Sequence, residues 1–342
     1  MLQSSSNLSG MMEPKTTCAA CTVPSTRARS ASISKNGTIK PMKKIFLILT
    51  LVFFVCAAYA QSSNEKTGAL LWKISGNGLK QPSYIFGTHH LFPFSFLDSI
   101  AGVKQAFASS EQMVGELVMS DMAALGGEVQ KAGLMPQDTT WQMLLSEDDY
   151  RFVDEQLTAV FGVGLHSFGR LKPSMVSMAY TVSFYQKIFP QVNMSEIFDI
   201  WFQQQAVDRG IPVVGLETAQ DQIEVIFEFS SLKRQAADLV CALKYADYME
   251  IAAKTLNRLY RAADLKGLSE MFHEHEETPC PVNAEQLVAI NETRNKRWLE
   301  KLPAIMADKP SFIAVGCMHL VGEVGLLVGL EKAGYKVEAV RE

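Results

Sequence analysis

The chain has 342 residues, of which 48% are hydrophobic and 20% charged, and its formal net charge at pH 7 is −4. This apolar fraction suffices for a packed core and excludes an intrinsically disordered chain. An acidic chain without a basic cluster lacks the electrostatic pattern of nucleic-acid-binding proteins, so we expect no nucleic-acid partner.

Residues 42–60 have the pattern of a secretory signal peptide. Two lysines follow Met42, an apolar run extends from Ile45 to Ala58, and residues 58–60 form an A-x-A cleavage site. The run is short for a membrane-spanning helix. We therefore expect an exported protein, periplasmic or secreted, with no stable membrane span after cleavage.

Residues 1–41 precede this complete signal peptide, and we interpret them as a non-native or disordered extension. They are rich in Ser and Thr and have no hydrophobic period. Cys18 and Cys21 have no second cysteine pair that would complete a zinc site.

Cleavage after Ala60 would make the remaining chain more acidic. Residues 1–60 hold seven of the 32 basic and one of the 36 acidic residues, which leaves 25 and 35 and a net charge of −10. Three cysteines remain. In an oxidising compartment Cys241 and Cys280 could form a disulfide, which would leave Cys317 free.

Apolar segments rich in β-forming residues occur in three regions of the chain. In chain order they are 70–74, 84–86, 113–115, 212–215, 312–315 and 335–340. The turn residues 76–78 make the first two a hairpin, and helical periodicity dominates 121–210 and 219–308. The sequence thus predicts an α/β fold with a small central sheet and large helical insertions.

Two of the predicted strands end in the same motif, G-x-x-H. Gly87 is followed by His90 at the end of the second strand, and Gly316 is followed by His319 near the other end of the chain. A histidine at a strand end, taken alone, also fits a purely structural role. The repetition of the motif favours a shared functional role for His90 and His319.

Two other predicted strands each end in a glycine with a glutamate close behind. Glu116 directly follows Gly115, and Glu217 lies two residues after Gly215. Imidazole and carboxylate groups are typical ligands of divalent metal ions. We therefore predict a metal site of His90, His319, Glu116 and Glu217, with a solvated loop as the alternative for each glutamate. The order His, Glu, Glu, His along the chain suggests two related half-units.

Four further residues are candidates for supporting roles. Asp121 and Asp199 could be additional acidic ligands, although a structural role is the more common one for such residues. His89 should point away from His90, because successive residues of a strand alternate faces. Arg294 lies on an apolar stripe of a predicted helix, and an inward guanidinium needs an anionic partner.

The acidic run 273–277 contains two histidines but does not predict a metal site. Its histidines are two residues apart, a spacing that does not share a helix face. An exposed acidic loop is the better interpretation.

At these residues the sequence resembles the TraB/GumN family, part of the wider Tiki-related group with an erythromycin-esterase/ChaN-like fold. The segments that carry the resemblance are LWKISGNGLKQPSYIFGTHH, VGELVMS, LKP, IPVVGLETAQDQ, ETRNKRW and FIAVGCMHLVGEVGLLVGLEKAGYKVEAV. The resemblance covers about residues 68–340 and implies a single domain of this type over 61–342. His90, Glu116, Glu217 and His319 match the paired histidines and glutamates of the family, and Arg294 matches its further polar residue.

Tiki members are described as metal-dependent proteases, so the resemblance implies a peptide or protein substrate. We expect an exported hydrolase in which His90, His319 and at least one glutamate hold a divalent ion such as Mn, Co or Zn. The other glutamate, Glu116 or Glu217, would act as general base, and Arg294 would stabilise the oxyanion. The alternative is a non-catalytic envelope protein that sequesters a peptide or a haem-like ligand in the same cleft.

Overall fold

The computed structural model describes residues 68–193, 196–273, 278–281 and 283–341. The predicted extension at 1–41 and the signal peptide at 42–60 lie outside these residues, as does 274–277 of the acidic run. All the described residues belong to one compact unit.

A six-stranded mixed sheet forms the centre of the described part of the chain. Its strands are β1 (Leu71–Ser75), β2 (Ser83–Thr88), β3 (Gln112–Gly115), β4 (Val213–Gly215), β5 (Ser311–Gly316) and β6 (Lys336–Ala339). The strand order is β4-β3-β5-β2-β1-β6. β1 pairs antiparallel with β2, as the predicted hairpin requires, and also with β6. The prediction of an α/β fold with a central sheet and large helical insertions is confirmed.

β2, β3, β4 and β5 form the parallel part of the sheet. Their register determines which residues meet at the edge of the sheet. β2 and β3 both pair in parallel with β5, and β4 pairs in parallel with β3. Gly115 lies opposite Gly215 on one side and Ala314 on the other, while Thr88 lies opposite Gly316. The segments that follow these four strands therefore leave the sheet at the same edge, where α/β proteins place their ligands.

Helices occupy most of the remaining described residues. The α-helices are α1 (Val103–Ser109), α2 (Met119–Ala124), α3 (Gly126–Ala132), α4 (Trp141–Leu144), α5 (Glu147–Phe161), α6 (Pro173–Ile188), α7 (Phe198–Asp208), α8 (Ala219–Ile223), α9 (Leu232–Lys244), α10 (Ala246–Arg261), α11 (Leu265–His273), α12 (Ala284–Leu287), α13 (Thr293–Asp308) and α14 (Leu326–Lys332). Short 3₁₀ helices span Phe94–Ser99, Leu165–Phe168 and Cys317–His319. Within the described residues, no helix has the length and apolarity needed to cross a membrane.

Two π-helical turns interrupt the α-helical geometry. Glu224–Glu228 continues α8, and Val288–Glu292 joins α12 to α13. The residues at both ends of Val288–Glu292 have α-helical dihedral angles, so 284–308 is one continuous helical run. π-helical turns are rare and often occur at functional sites.

Apolar side chains form two clusters in the described residues. The larger one surrounds the sheet and includes Phe86 and Phe312, which are fully buried. The smaller one joins α4, α5, α6 and α9 around residues such as Val176 and Leu239. The helices between β3 and β4 thus share a second apolar core with α9, which follows β4.

A disulfide joins Cys241 in α9 to Cys280, and Cys317 is buried as a free thiol. The bridge closes a loop with a sequence separation of 39. Closing a loop of this size stabilises the folded state by about 4 kcal/mol in the chain-entropy model.

We predict that the double variant Cys241→Ser, Cys280→Ser has a free energy of unfolding lower by up to about 4 kcal/mol, because its unfolded chain is less restricted. Urea denaturation measures this difference. A reducing agent should shift the wild-type curve to lower urea and leave that of the variant in place. A wild-type curve that does not respond to the reductant would contradict the prediction.

Candidate functional site

A cavity of about 320 Å³ lies at the edge where the four parallel strands end. His90, Glu116, Arg294 and His319 all line it, although up to 229 positions separate them in the sequence. Glu217 does not line the cavity but contacts Arg294 from behind. The topology thus brings the predicted residues together, with Glu217 one layer further from the opening.

Glycines end the strands because neighbouring groups pack directly against their backbone. A Cβ atom on Gly87 would lie 2.8 Å from Cδ1 of Leu320 and 3.1 Å from the Cα of Cys317. A Cβ atom on Gly115 would lie 2.8 Å from Nε2 of Gln203. These distances are shorter than normal contacts, so a larger residue at either strand end would displace the groups that support the cavity.

The guanidinium of Arg294 lies between the two glutamates. Its Nε and Nη2 donate to Oε2 and Oε1 of Glu217 at 2.9 and 2.7 Å, a bidentate pair. Nη2 also donates to Oε2 of Glu116 at 2.6 Å. Nη1 donates to Nε2 of His319 at 3.1 Å and to the carbonyl of Ile290 at 3.0 Å.

These charged groups are largely removed from water. The side chains of Arg294 and Glu116 are each 12% exposed, and that of Glu217 is 6% exposed. Burial would be very costly for an unpaired charge. Arg294, which the sequence predicts to point inward and to need an anionic partner, therefore has two such partners.

Both glutamates accept further hydrogen bonds. Oε1 of Glu116 accepts from the backbone N–H of Gly316 at 2.8 Å, and Oε2 of Glu217 accepts from Nε1 of Trp298 at 3.2 Å. Burial disfavours the charged carboxylate of Glu116, but nearby His319 and Arg294 outweigh it and lower the pKa to about 2. Glu116 is therefore ionised at neutral pH.

His319 is held by the amide of Asn295. Nδ2 of Asn295 donates to Oδ1 of Asn291 and to the carbonyls of His319 and Val324, at 3.1, 3.3 and 3.1 Å. The amide oxygen must then face Nδ1 of His319, 2.7 Å away, and Nδ1 carries the proton. Burial lowers the pKa of His319 to about 4, so the ring is neutral and the lone pair on Nε2 accepts the hydrogen bond from Arg294.

His90 is held by Asp199 of α7. Nδ1 of His90 lies 2.8 Å from Oδ2 of Asp199, whose other oxygen accepts from the hydroxyl of Thr88 at 3.0 Å. The attraction of Asp199 raises the pKa of His90 to about 9. Because the side chain of His90 is 54% exposed, water screens part of this attraction.

His89 belongs to a second series of hydrogen-bonded groups, which does not include Arg294. Its Nδ1 accepts from the backbone N–H of Leu91 at 3.1 Å, so in the neutral ring Nε2 carries the proton. Nε2 lies 3.3 Å from the hydroxyl of Tyr185, which donates to Oδ1 of Asn257 at 2.5 Å. This series ties the end of β2 to α6 and α10.

Asn295 and Asp199 orient the two histidines. No local signal marks Asn295 by itself, although Asn291 and Asn295 form a polar pair at i, i+4 next to a stripe of apolar residues. Asp199, which the sequence offers as a candidate metal ligand, contacts Nδ1 of His90 instead. Asp121 is exposed and is not part of the cavity wall.

The donor set fits a divalent metal ion in its chemistry. His90 and His319 both use Nδ1 for a polar partner, the arrangement that orients metal-binding histidines through Nε2. The distances between these side chains do not match those of a formed metal site: within the described ranges, no three His, Cys, Asp or Glu side chains form a group that could hold an ion. Arg294 donates to Glu116 and His319, so these residues could hold an ion only after the guanidinium moves.

Two comparisons with known proteins give significant matches. The model of the TraB/PrgY/gumN family matches residues 70–339. Metalloprotease TIKI2 of Danio rerio is 22% identical over 353 residues, an alignment that covers 85% of this chain and 67% of that protein. No solved structure matches significantly.

We predict that His89 makes the folded state less stable as the pH falls from about 6.5 to about 4. Burial, with a contribution from His90, lowers the pKa of His89 from 6.5 to about 4. In this window the unfolded chain binds more protons than the folded one, so protonation favours unfolding.

The variant His89→Gln tests this. A glutamine can still accept from Leu91 and donate to Tyr185, but it does not titrate. Urea denaturation across this pH range should give a smaller loss of unfolding free energy for the variant than for wild type. Equal losses would contradict the prediction.

Proposed function

This chain belongs to the TraB/PrgY/gumN family, and on that premise we propose that it is a metal-assisted hydrolase that cleaves peptide bonds. The observation that carries the proposal is the meeting of two oriented imidazoles, an ionised carboxylate and a buried guanidinium in one cavity. The similarity to a protein named a metalloprotease supports the reaction class.

His90, His319 and Glu116 are the residues that would hold the ion. Asp199 and Asn295 occupy Nδ1, so Nε2 of each ring would be the ligand atom, and at His319 this requires Arg294 to release Nε2. A bound Mn, Co or Zn ion would polarise the scissile carbonyl and lower the pKa of a water molecule towards neutrality.

Arg294 is proposed to stabilise the oxyanion that forms when the carbonyl is attacked. Its bidentate pair with Glu217 fixes the plane of the guanidinium, and Arg294 itself lines the cavity. All five N–H groups of Arg294 have acceptors, so the oxyanion would replace one of them, and His319 is the acceptor whose contact Arg294 would give up.

The two glutamates have different proposed roles. Glu116 lines the cavity and keeps the role of ligand, one of the two roles that the sequence suggested for a glutamate. Both oxygens of Glu217 already accept from Arg294, and Trp298 donates to one of them. We therefore assign Glu217 the positioning of Arg294.

Four apolar side chains in the cavity wall favour an apolar substrate. Leu256, Phe272, Ile290 and Met318 line it. Burying an apolar side chain against them would stabilise the complex. We therefore propose a peptide with a large apolar residue next to the scissile bond.

We also propose that the protein acts outside the cytoplasm. Residues 42–60 have the signal-peptide pattern. The Cys241–Cys280 disulfide supports an oxidising compartment.

Metal analysis of the purified protein tests the proposal. We expect about one ion per wild-type chain and at least about a tenfold lower metal affinity for His319→Ala. His166→Ala, which removes an exposed histidine of the 3₁₀ helix Leu165–Phe168, is the control and should bind metal like wild type.

Cleavage is measured separately on a fluorogenic peptide library with added Mn, Co or Zn and with a chelator. We expect metal-dependent cleavage by wild type and the His166→Ala control and almost none by His319→Ala. Equal, negligible metal content in wild type and His319→Ala would contradict the mechanism. A copurified peptide or haem without cleavage would favour the sequestering alternative.

A further inference from the structure

We propose that Arg294 is the resident cation of the cavity, and that a metal ion binds there only when Arg294 gives up its contact with His319. The inference rests on the proposed function, because it concerns the affinity of the same site for metal. It makes Arg294 the residue that determines when the site is loaded.

The argument starts from the number of lone pairs on His319. A neutral imidazole has one lone pair, on the nitrogen without a proton. Nδ1 of His319 faces the oxygen of Asn295 and carries the proton, so the lone pair is on Nε2. Nη1 of Arg294 already donates to Nε2 at 3.1 Å. One lone pair cannot accept this hydrogen bond and coordinate a metal at the same time.

Electrostatic repulsion acts in the same direction. Nη2 of Arg294 lies 2.6 Å from Oε2 of Glu116, the other ligand atom on this side of the cavity. An ion bound to Glu116 and His319 would lie within a few ångströms of the guanidinium. Two cations at that distance repel each other strongly in a poorly solvated site.

Arg294 has contacts that would hold it after it leaves His319. Glu217 and Trp298 do not line the cavity, and both lie against the guanidinium: Glu217 as the bidentate partner and Trp298 with its ring centroid 4.7 Å from Cζ. A small withdrawal would break the contact with His319 and preserve this anchor. It would also leave Nη1 free to donate to a substrate oxyanion, so loading and activation would occur together.

The affinity for Zn and Mn, measured by competition with a chelating dye, tests the inference. A site that is competent in only a fraction of molecules has an apparent affinity reduced by that fraction. If Arg294 blocks the site in nine molecules of ten, Arg294→Gln should bind metal about tenfold more tightly than wild type.

The control is Arg297→Gln, which removes the same charge three residues further along α13. Arg297 pairs with Asp221 at 3.5 Å and its side chain is 59% exposed. We expect its metal affinity to stay within about twofold of wild type, because exposed charges are screened. An equal gain in Arg297→Gln and Arg294→Gln would show a general charge effect and overturn the inference.

Glu217→Gln separates the two roles considered for Glu217. Glu217 contacts Arg294 both before and after the withdrawal, so its loss should leave the metal affinity within about twofold of wild type; if Glu217 is a ligand, the affinity should fall at least about tenfold. A fall would overturn the inference. This variant keeps the test decisive if Arg294→Gln, which leaves two buried carboxylates without their partner, does not fold.

Thermal denaturation gives a second readout. A ligand that binds only the folded state raises Tm, so Zn should raise the Tm of Arg294→Gln more than that of wild type. If wild type binds metal and Arg294→Gln binds no more tightly, the inference fails and the proposed function stands. If neither binds metal, both fail.

Discussion

The fold around the cavity depends on one guanidinium, that of Arg294, which pairs with two buried carboxylates. Arg294 joins α13 to the residues that follow β3 and β4, across 178 positions to Glu116 and 77 to Glu217. Removing one partner of a buried ion pair commonly costs about 3–5 kcal/mol, because the remaining charge stays buried without compensation. The interaction therefore constrains the edge of the sheet and the long C-terminal helix at once. Any function assigned to the cavity has to account for this cation.

The parallel part of the sheet supplies the carboxylates and imidazoles that surround it. Along the chain the strand ends carry His, Glu, Glu and His, whereas across the sheet β4, β3, β5 and β2 place the glutamates on one side and the histidines on the other. β5 lies between β3 and β2, so Cys317, the first residue after β5, follows a strand that borders both the glutamate side and the histidine side of the sheet. Gly316 allows the carboxylate of Glu116 to lie against its backbone, since a Cβ atom there would be 3.3 Å from Oε1. The strand order thus brings the carboxylates and imidazoles to one edge of the sheet, and the glycine at the end of β5 leaves room for the carboxylate of Glu116.

The sequence predicted the strands, the fold class and the side chains that meet at the cavity, because each is marked locally by an apolar run and a glycine. It also predicted that Arg294 points inward. The stripe behind that inference assumes a regular α-helix, whereas Val288–Glu292 is a π turn; Ile290 and Arg294 nevertheless line the same cavity. Trp298 and Leu302 follow Arg294 within α13 and are fully buried, so this half of the stripe was sufficient. The orientation of an amide and the burial of one glutamate behind an arginine depend on tertiary contacts with no local signal.

The charges around the cavity explain why a resident cation and a metal ion would exclude each other without making the site unstable. Glu116, Glu217 and Asp199 supply three negative charges when ionised, and Arg294 with a protonated His90 returns two. If His90 became a ligand, it would lose its proton, and a divalent ion in the site would then bring the sum from −1 to zero. The same change would make the cavity more favourable for an oxyanion. A buried arginine that withdraws towards one glutamate therefore keeps the carboxylates compensated both before and after loading.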